Sequence, residues 1–134
     1  MNNLDRIKAA WKMGWAAQLK LETGAKFTVV CWPLIENAFG LKDESTGMPL
    51  ALMLDSEKID GQYKYEITGY LYAGQLAGNE PIPKDQKFRI KRELDFNITQ
   101  GEIFTFYDLD DQNLIHLKGI DGGISKEDLE PVFD

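Results

Sequence analysis

From Leu4 onward apolar residues return at steps of three and four, as Leu4, Ile7, Trp11, Trp15 and Leu19. That spacing sets them in one stripe and predicts a helix over residues 4–22 whose stripe faces a core. Asn2 or Asn3 can cap its start, Asp5 suits the first turn, and Gly24 can take the left-handed conformation that ends it. Beyond residue 26 the pattern becomes that of strands. Lys26-Phe27-Thr28-Val29-Val30-Cys31-Trp32 is dense in β-branched and aromatic side chains, and Pro33, which has no N–H, ends it. Residues 36–48, with Gly40, Asp43, Ser45 and Gly47, read as a loop. Leu50 to Leu54 suits a short strand buried on both faces, and Asp60-Gly61 signals a turn.

Tyr63 to Tyr72 alternates like a strand of a half-open sheet. Tyr63, Tyr65, Ile67, Gly69 and Leu71 fall on one face, and Lys64, Glu66, Thr68, Tyr70 and Tyr72 on the other, which makes Tyr70 and Tyr72 candidates for contact with a partner. Residues 74–83 hold Gly74, Gly78, Asn79, Pro81 and Pro83 and read as a loop inside one domain. Phe88, Ile90 and Leu94 alternate with Lys87, Arg89, Lys91 and Glu93, which gives a strand with an apolar and a basic face. In the last third, Ile103 to Tyr107 pairs with Leu114 to Leu117 across the acidic turn Asp108 to Asn113, and Gly122-Gly123 then reverses the chain. Ser125-Lys126-Glu127-Asp128 has the form of a capping box with Asp in place of Glu. It predicts one helical turn through Leu129, halted by Pro131 before Val132-Phe133 rejoins the sheet.

These elements define a single α+β domain over residues 1–134, with a helix over 4–22 and a β-rich part over 26–134. The N-terminal helix packs on a strongly bent, mainly antiparallel sheet of about six or seven strands. The predicted core is Leu4, Ile7, Trp11, Trp15, Leu19, Phe27, Val29, Cys31, Leu52, Leu54, Ile67, Leu71, Phe88, Ile90, Phe104, Phe106, Leu129 and Val132. The order of a Gly-Glu-Ile-Phe-Thr-Phe start, an acidic hairpin turn, a glycine turn and a final Ser-x-x-x-Leu-Glu-Pro-Val resembles the closing strands of SH3-like small barrels. Many such barrels occur in short proteins of phages and other mobile elements. The resemblance covers Gly101 to Phe133 and implies a partly open barrel that binds rather than catalyses. No peptide-groove residue and no partner carries over with it.

Charge changes the picture more than composition does. Between Asp108 and Asp134, eight carboxylates face only Lys118 and Lys126, which puts six of the chain's seven excess negative charges there. Residues 1–26 are basic instead, Arg6, Lys8, Lys12, Lys20 and Lys26 outweighing Asp5 and Glu22. Net negative charge repels phosphate backbones at long range, which makes nucleic acid an unlikely partner and a basic protein surface the better one. No apolar run approaches the roughly 20 residues that span a bilayer, and the first residues lack a secretory signal, so no membrane and a cytoplasmic location are expected. Cys31, the one cysteine, can form no intrachain disulfide and no cysteine metal cage, and its apolar neighbours suggest a buried, inert thiol.

No constellation in the chain specifies a reaction. His116, the one histidine, lies between Ile115 and Leu117 and points outward by alternation. No phosphate-binding glycine loop or nucleophile elbow occurs. Asp108-Leu109-Asp110-Asp111-Gln112-Asn113 resembles the start of a calcium loop, yet Asn113 stands where glycine is needed and Gly119 where a bidentate Glu is needed. No cofactor and no metal are expected. The expected protein is a non-enzymatic binding protein, a phage or mobile-element accessory factor. Its acidic C-terminal surface, formed by Asp108, Asp110, Asp111, Asp121, Glu127, Asp128 and Glu130 with Tyr70 and Tyr72 as further contacts, engages a basic patch of a host protein. Inhibition of a nucleic-acid-processing enzyme is one concrete form. The alternatives are a small nucleic-acid-binding barrel that uses the basic strand 84–92, on which no aromatic shares the face of Lys87, Arg89 and Lys91, and an enzyme with a carboxylate site. Oligomeric state is not readable.

Overall fold

The computed structural model describes residues 1–31, 38–74, 77, 78, 80–94 and 98–133, with Cys31 described by its backbone alone. The strand end at Trp32 and Pro33, the thiol of Cys31, and Asp95 and Asp134 lie outside the described residues. The fold class is α+β, with antiparallel pairing throughout the described strands. By compactness the chain divides into two units, Met1–Glu80 and Pro81–Asp134. The boundary falls in the stretch read above as an internal loop, where Pro81 and Pro83 lack the N–H that would continue a ladder.

In the first unit helix α1 spans Asn3–Met13. Asn2 caps it, its Oδ1 accepting the N–H of Asp5 at 2.8 Å. The helix does not reach residue 22. Gly14 adopts φ +116° and donates its N–H to the carbonyls of Ala10 and Trp11, a left-handed stop, and the next residues form strand β1, Trp15–Leu21. Trp15, Ala17, Leu19 and Leu21 are all buried, so the residues that fit a helical step also fit a step of two. Gly24, expected to end the helix, instead turns the chain from β1 into β2, Lys26–Cys31.

Strand β3, Ala38–Asp43, lies within the segment expected as a loop, with Phe39 and Leu41 fully buried. Strands β4, Pro49–Met53, β5, Lys58–Ile59, and β6, Tyr63–Tyr72, complete a six-stranded sheet in the order β4-β3-β2-β1-β6-β5. Its two outer strands are tied together. Leu54 bridges Ile59, Asp60 donates its N–H to the Met53 carbonyl at 2.8 Å, and the Met53 N–H returns to Asp60 Oδ1 at 3.2 Å. The sheet thereby curls into a nearly closed barrel, and α1 packs on β1 and β6. Being an outer strand, β4 is not buried on both faces: Leu50 and Met53 are exposed, and burial begins at Leu54.

Strand β6 follows its expected limits but changes face midway. Gln18 pairs with Gly69 and Leu19 with Ile67, so Thr68 is an extra residue and the alternation inverts across it. Tyr70 is thereby buried, Tyr72 sets its ring edge-on to Trp15 at 5.1 Å, and Leu71, expected in the core, is 47% exposed.

The second unit is a four-stranded sheet in the order β10-β7-β8-β9, formed by β7, Lys87–Ile90, β8, Ile103–Leu109, β9, Ile115–Leu117, and β10, Leu129–Val132. Hairpin β8–β9 forms, with Asp108 and Leu109 in the ladder rather than in the expected turn and Leu114 outside it, and Phe88, Ile90, Ile115 and Leu129 are fully buried. Ser125 caps a 3-10 turn at Lys126–Asp128, accepting the Glu127 N–H. The final strand resumes at Leu129, before Pro131 rather than after it. Asp128 accepts the Lys91 N–H and Pro131 stands opposite Phe88, so the ladder positions alternate with Pro131, whose missing N–H falls on the open edge. Of the expected core, Leu4, Leu52, Ile67, Phe104, Phe106 and Val132 are half-buried.

A Cβ on Gly14 would lie 3.1 Å from the Tyr72 ring, in a backbone conformation that L side chains avoid. Gly14→Ala is therefore expected to destabilise the protein by about 1 kcal/mol or more in denaturant unfolding. An unchanged unfolding midpoint would show that the helix-to-strand switch does not need glycine.

Candidate functional site

Carboxylates of the second unit meet at the end of hairpin β8–β9. Asp110 begins the turn, and its Oδ1 accepts the N–H groups of Gln112 at 2.9 Å and Leu114 at 3.0 Å. Its Oδ2 lies 2.8 Å from Nε2 of His116 on β9. Gly123 packs against the same place, since a Cβ there would fall 2.7 Å from Cβ of Leu114 and 3.0 Å from Asp110 Oδ2. Ile124 then bonds Ile115 in both directions, which lays the loop 119–123 alongside the turn. One carboxylate thus holds the turn, and the loop that carries Asp121 is fitted against it.

A second feature sets what faces outward. Phe106 pairs with Leu117 and Asp108 with His116, so Tyr107 is an extra residue and β8 bulges. In such a bulge the extra residue and the next one oppose a single partner residue on the same side. Tyr107 and Asp108 both face solvent opposite His116, and Tyr107 is 70% exposed. His116 points outward, as expected, and is engaged by Asp110.

The other tail carboxylates divide. Asp111, Asp121 and Glu127 are exposed. Asp128 is buried and pairs with Arg92 at 2.6 Å, and Glu130 pairs with Arg89 at 3.1 Å across the β10–β7 ladder. Asp110, Asp128 and Glu130 therefore serve the unit's own structure, and the field expected from all seven residues contracts to Asp108, Asp111 and Asp121 around the Asp110 turn, with Glu127 on the 3-10 turn. The same pairings cancel two charges of the basic strand. Tyr70 and Tyr72 do not join this surface, because the bulge at Thr68 turns both inward within the first unit. Gly69, a glycine inside a strand, was the sequence signal for that inversion.

The backbone N–H of Leu114, then the His116 side chain, hold the Asp110 carboxyl below the usual carboxylate range against the opposing effect of burial. In the first unit burial, with the nearby Asp55 charge, pushes the Tyr65 phenol upward while its hydroxyl donates to the Asp55 carbonyl at 2.6 Å. Neither arrangement prepares a nucleophile. An open depression of about 350 Å³ beside β1 and β6 is lined by Lys20, Leu21, Glu22, Lys64, Tyr65 and Glu66, whose charges alternate rather than converge. Among the described residues no group of three or more His, Cys, Asp or Glu side chains could hold a metal ion, and no helix is long and apolar enough to cross a membrane. No protein-family model, curated protein or solved structure matches the chain.

Because Asp110 is held below its ordinary value when folded, its contribution to stability is present above the usual carboxylate range and is lost as pH falls through the depressed value. Thermal melts should show Asp110→Asn less stable than the native chain at neutral pH, with the gap closing in strong acid. Equal stability at neutral pH would contradict the assignment.

Proposed function

We propose that the chain is a non-enzymatic binding protein that presents the acidic end of its C-terminal unit to a basic surface of another protein. The observation that supports this reading is the fixed turn. Asp108, Asp111 and Asp121 are exposed on backbone that the Asp110 bonds and the Gly123 contact restrain, so little ordering cost falls on binding. Exposed carboxylates raise association rates toward cationic grooves. Such grooves are common in enzymes that process nucleic acid, and inhibition of one in the cytoplasm, as an accessory factor of a phage or mobile element, is the concrete form of the proposal. An SH3-like character for residues 101–133 is supported by the hairpin, glycine turn, 3-10 turn and closing strand occurring in that order.

Joint replacement of Asp108, Asp111 and Asp121 by Asn tests the reading against a panel of purified nucleic-acid-processing enzymes. Association with the enzyme captured by the native chain should slow about tenfold at low salt and lose most of its salt dependence, with the melting temperature unchanged. Capture of the same strength by the variant, or no capture of any basic enzyme by the native chain, would reject it.

A further inference from the structure

The solvent face of the C-terminal sheet carries a second surface, distinct in chemistry from the acidic end. Its register fixes the side chains that share it. Lys87 stands opposite Thr105 and Val132, and Arg89 opposite Ile103 and Glu130, all on the face away from buried Phe88 and Ile90. Lys118 joins from the other side of β8, its N–H bonded to the Thr105 carbonyl at 2.8 Å. Along β8 the outward positions are Ile103, 47% exposed, then Thr105, then Tyr107, 70% exposed. The sequence alone leaves the basic strand without an aromatic on its face. Strand pairing supplies one from the neighbouring strand.

Charge favours an anionic occupant at the centre of this strip. Lys87 is exposed and has no carboxylate partner among the described residues, Lys118 holds Asp85 only through a 3.2 Å contact between exposed groups, and Arg89 keeps much of its side chain in solvent beside Glu130. Asp108, beside Tyr107, closes the strip at the acidic end, so an anionic chain would lead from Tyr107 toward β7.

We propose that this face, Tyr107 with Ile103, Thr105, Lys87 and Lys118, is a contact site for single-stranded nucleic acid, a base stacking on Tyr107 while phosphates pass Lys87 and Lys118. An exposed aromatic beside exposed cations on a small sheet is the arrangement by which unpaired strands are bound with little sequence preference. The site does not rest on the acidic-end reading, and it operates at short range, within a Debye length, where the chain's distant carboxylates are screened.

The test is fluorescence anisotropy of the full chain with a labelled oligothymidylate of about twelve nucleotides, at about 0.05 M and 0.2 M salt. The native chain should bind at the lower salt and weaken at the higher. Tyr107→Ala should weaken binding about fivefold or more and leave the salt slope in place, whereas Lys87→Ser should lower the slope by about 0.7. Both side chains are exposed, and matching circular dichroism melts would confirm intact variants. Absence of binding at the lower salt overturns the proposal. Binding indifferent to Tyr107, or displaced as readily by polyglutamate as by unlabelled oligothymidylate, also overturns it, by showing a surface that takes any anion.

Discussion

The candidate site depends on one carboxylate with both oxygens committed. Asp110 spends Oδ1 on two turn amides and Oδ2 on His116, and Gly123 alone allows the following loop to lie against it. Without that tie the turn would have backbone donors without acceptors, and the loop would have no fixed surface to lie on. The Ile115–Ile124 bridge then continues the arrangement into the 3-10 turn and the last strand. An acid that looks in sequence like one more member of a charged cluster is the residue that positions the others.

Charge in this unit is largely settled internally before any partner is met. The pairing of β10 with β7 brings Glu130 to Arg89, and Asp128 lies within reach of Arg92, so the chain's most acidic segment and one of its basic segments partly cancel. Exposed pairs of this kind contribute little to stability, but Asp128 is buried and depends on its cation. What remains is short-range and local: Asp108, Asp111 and Asp121 at one end, and Lys87 beside Tyr107 on the sheet face. Net charge describes neither surface.

Much of the second unit was legible in the sequence because its signals are local. The alternation of Phe88 and Ile90, the β8–β9 hairpin and the Ser125 cap each rest on a few adjacent residues, and each is present. The first unit was harder for a physical reason. Trp11, Trp15 and Leu19 satisfy a helical step, whereas Trp15, Leu19 and Leu21 also satisfy a strand step, and the decision lies with Gly14. Phe39 and Leu41 alternate within a glycine-containing stretch that reads as loop until a neighbouring strand is known. The bulges at Thr68 and Tyr107 were not legible from alternation, since one extra residue inverts or doubles a face. They account for the loss of Tyr70 and Tyr72 from the surface and for the appearance of Tyr107 on it. The division of the tail acids into paired and exposed sets follows from long-range pairing that spacing does not encode.

Amide hydrogen exchange across residues 110–124 tests most directly whether Asp110 holds the turn and the following loop together. In the native chain the amides of Leu114, Ile115 and Ile124 should be protected together, and Asp110→Ala should release them while Phe88 and Ile90 of β7 stay protected. Protection of Leu114 and Ile124 that survives the substitution would contradict the account, because the acidic end would then owe its shape to something other than that carboxylate.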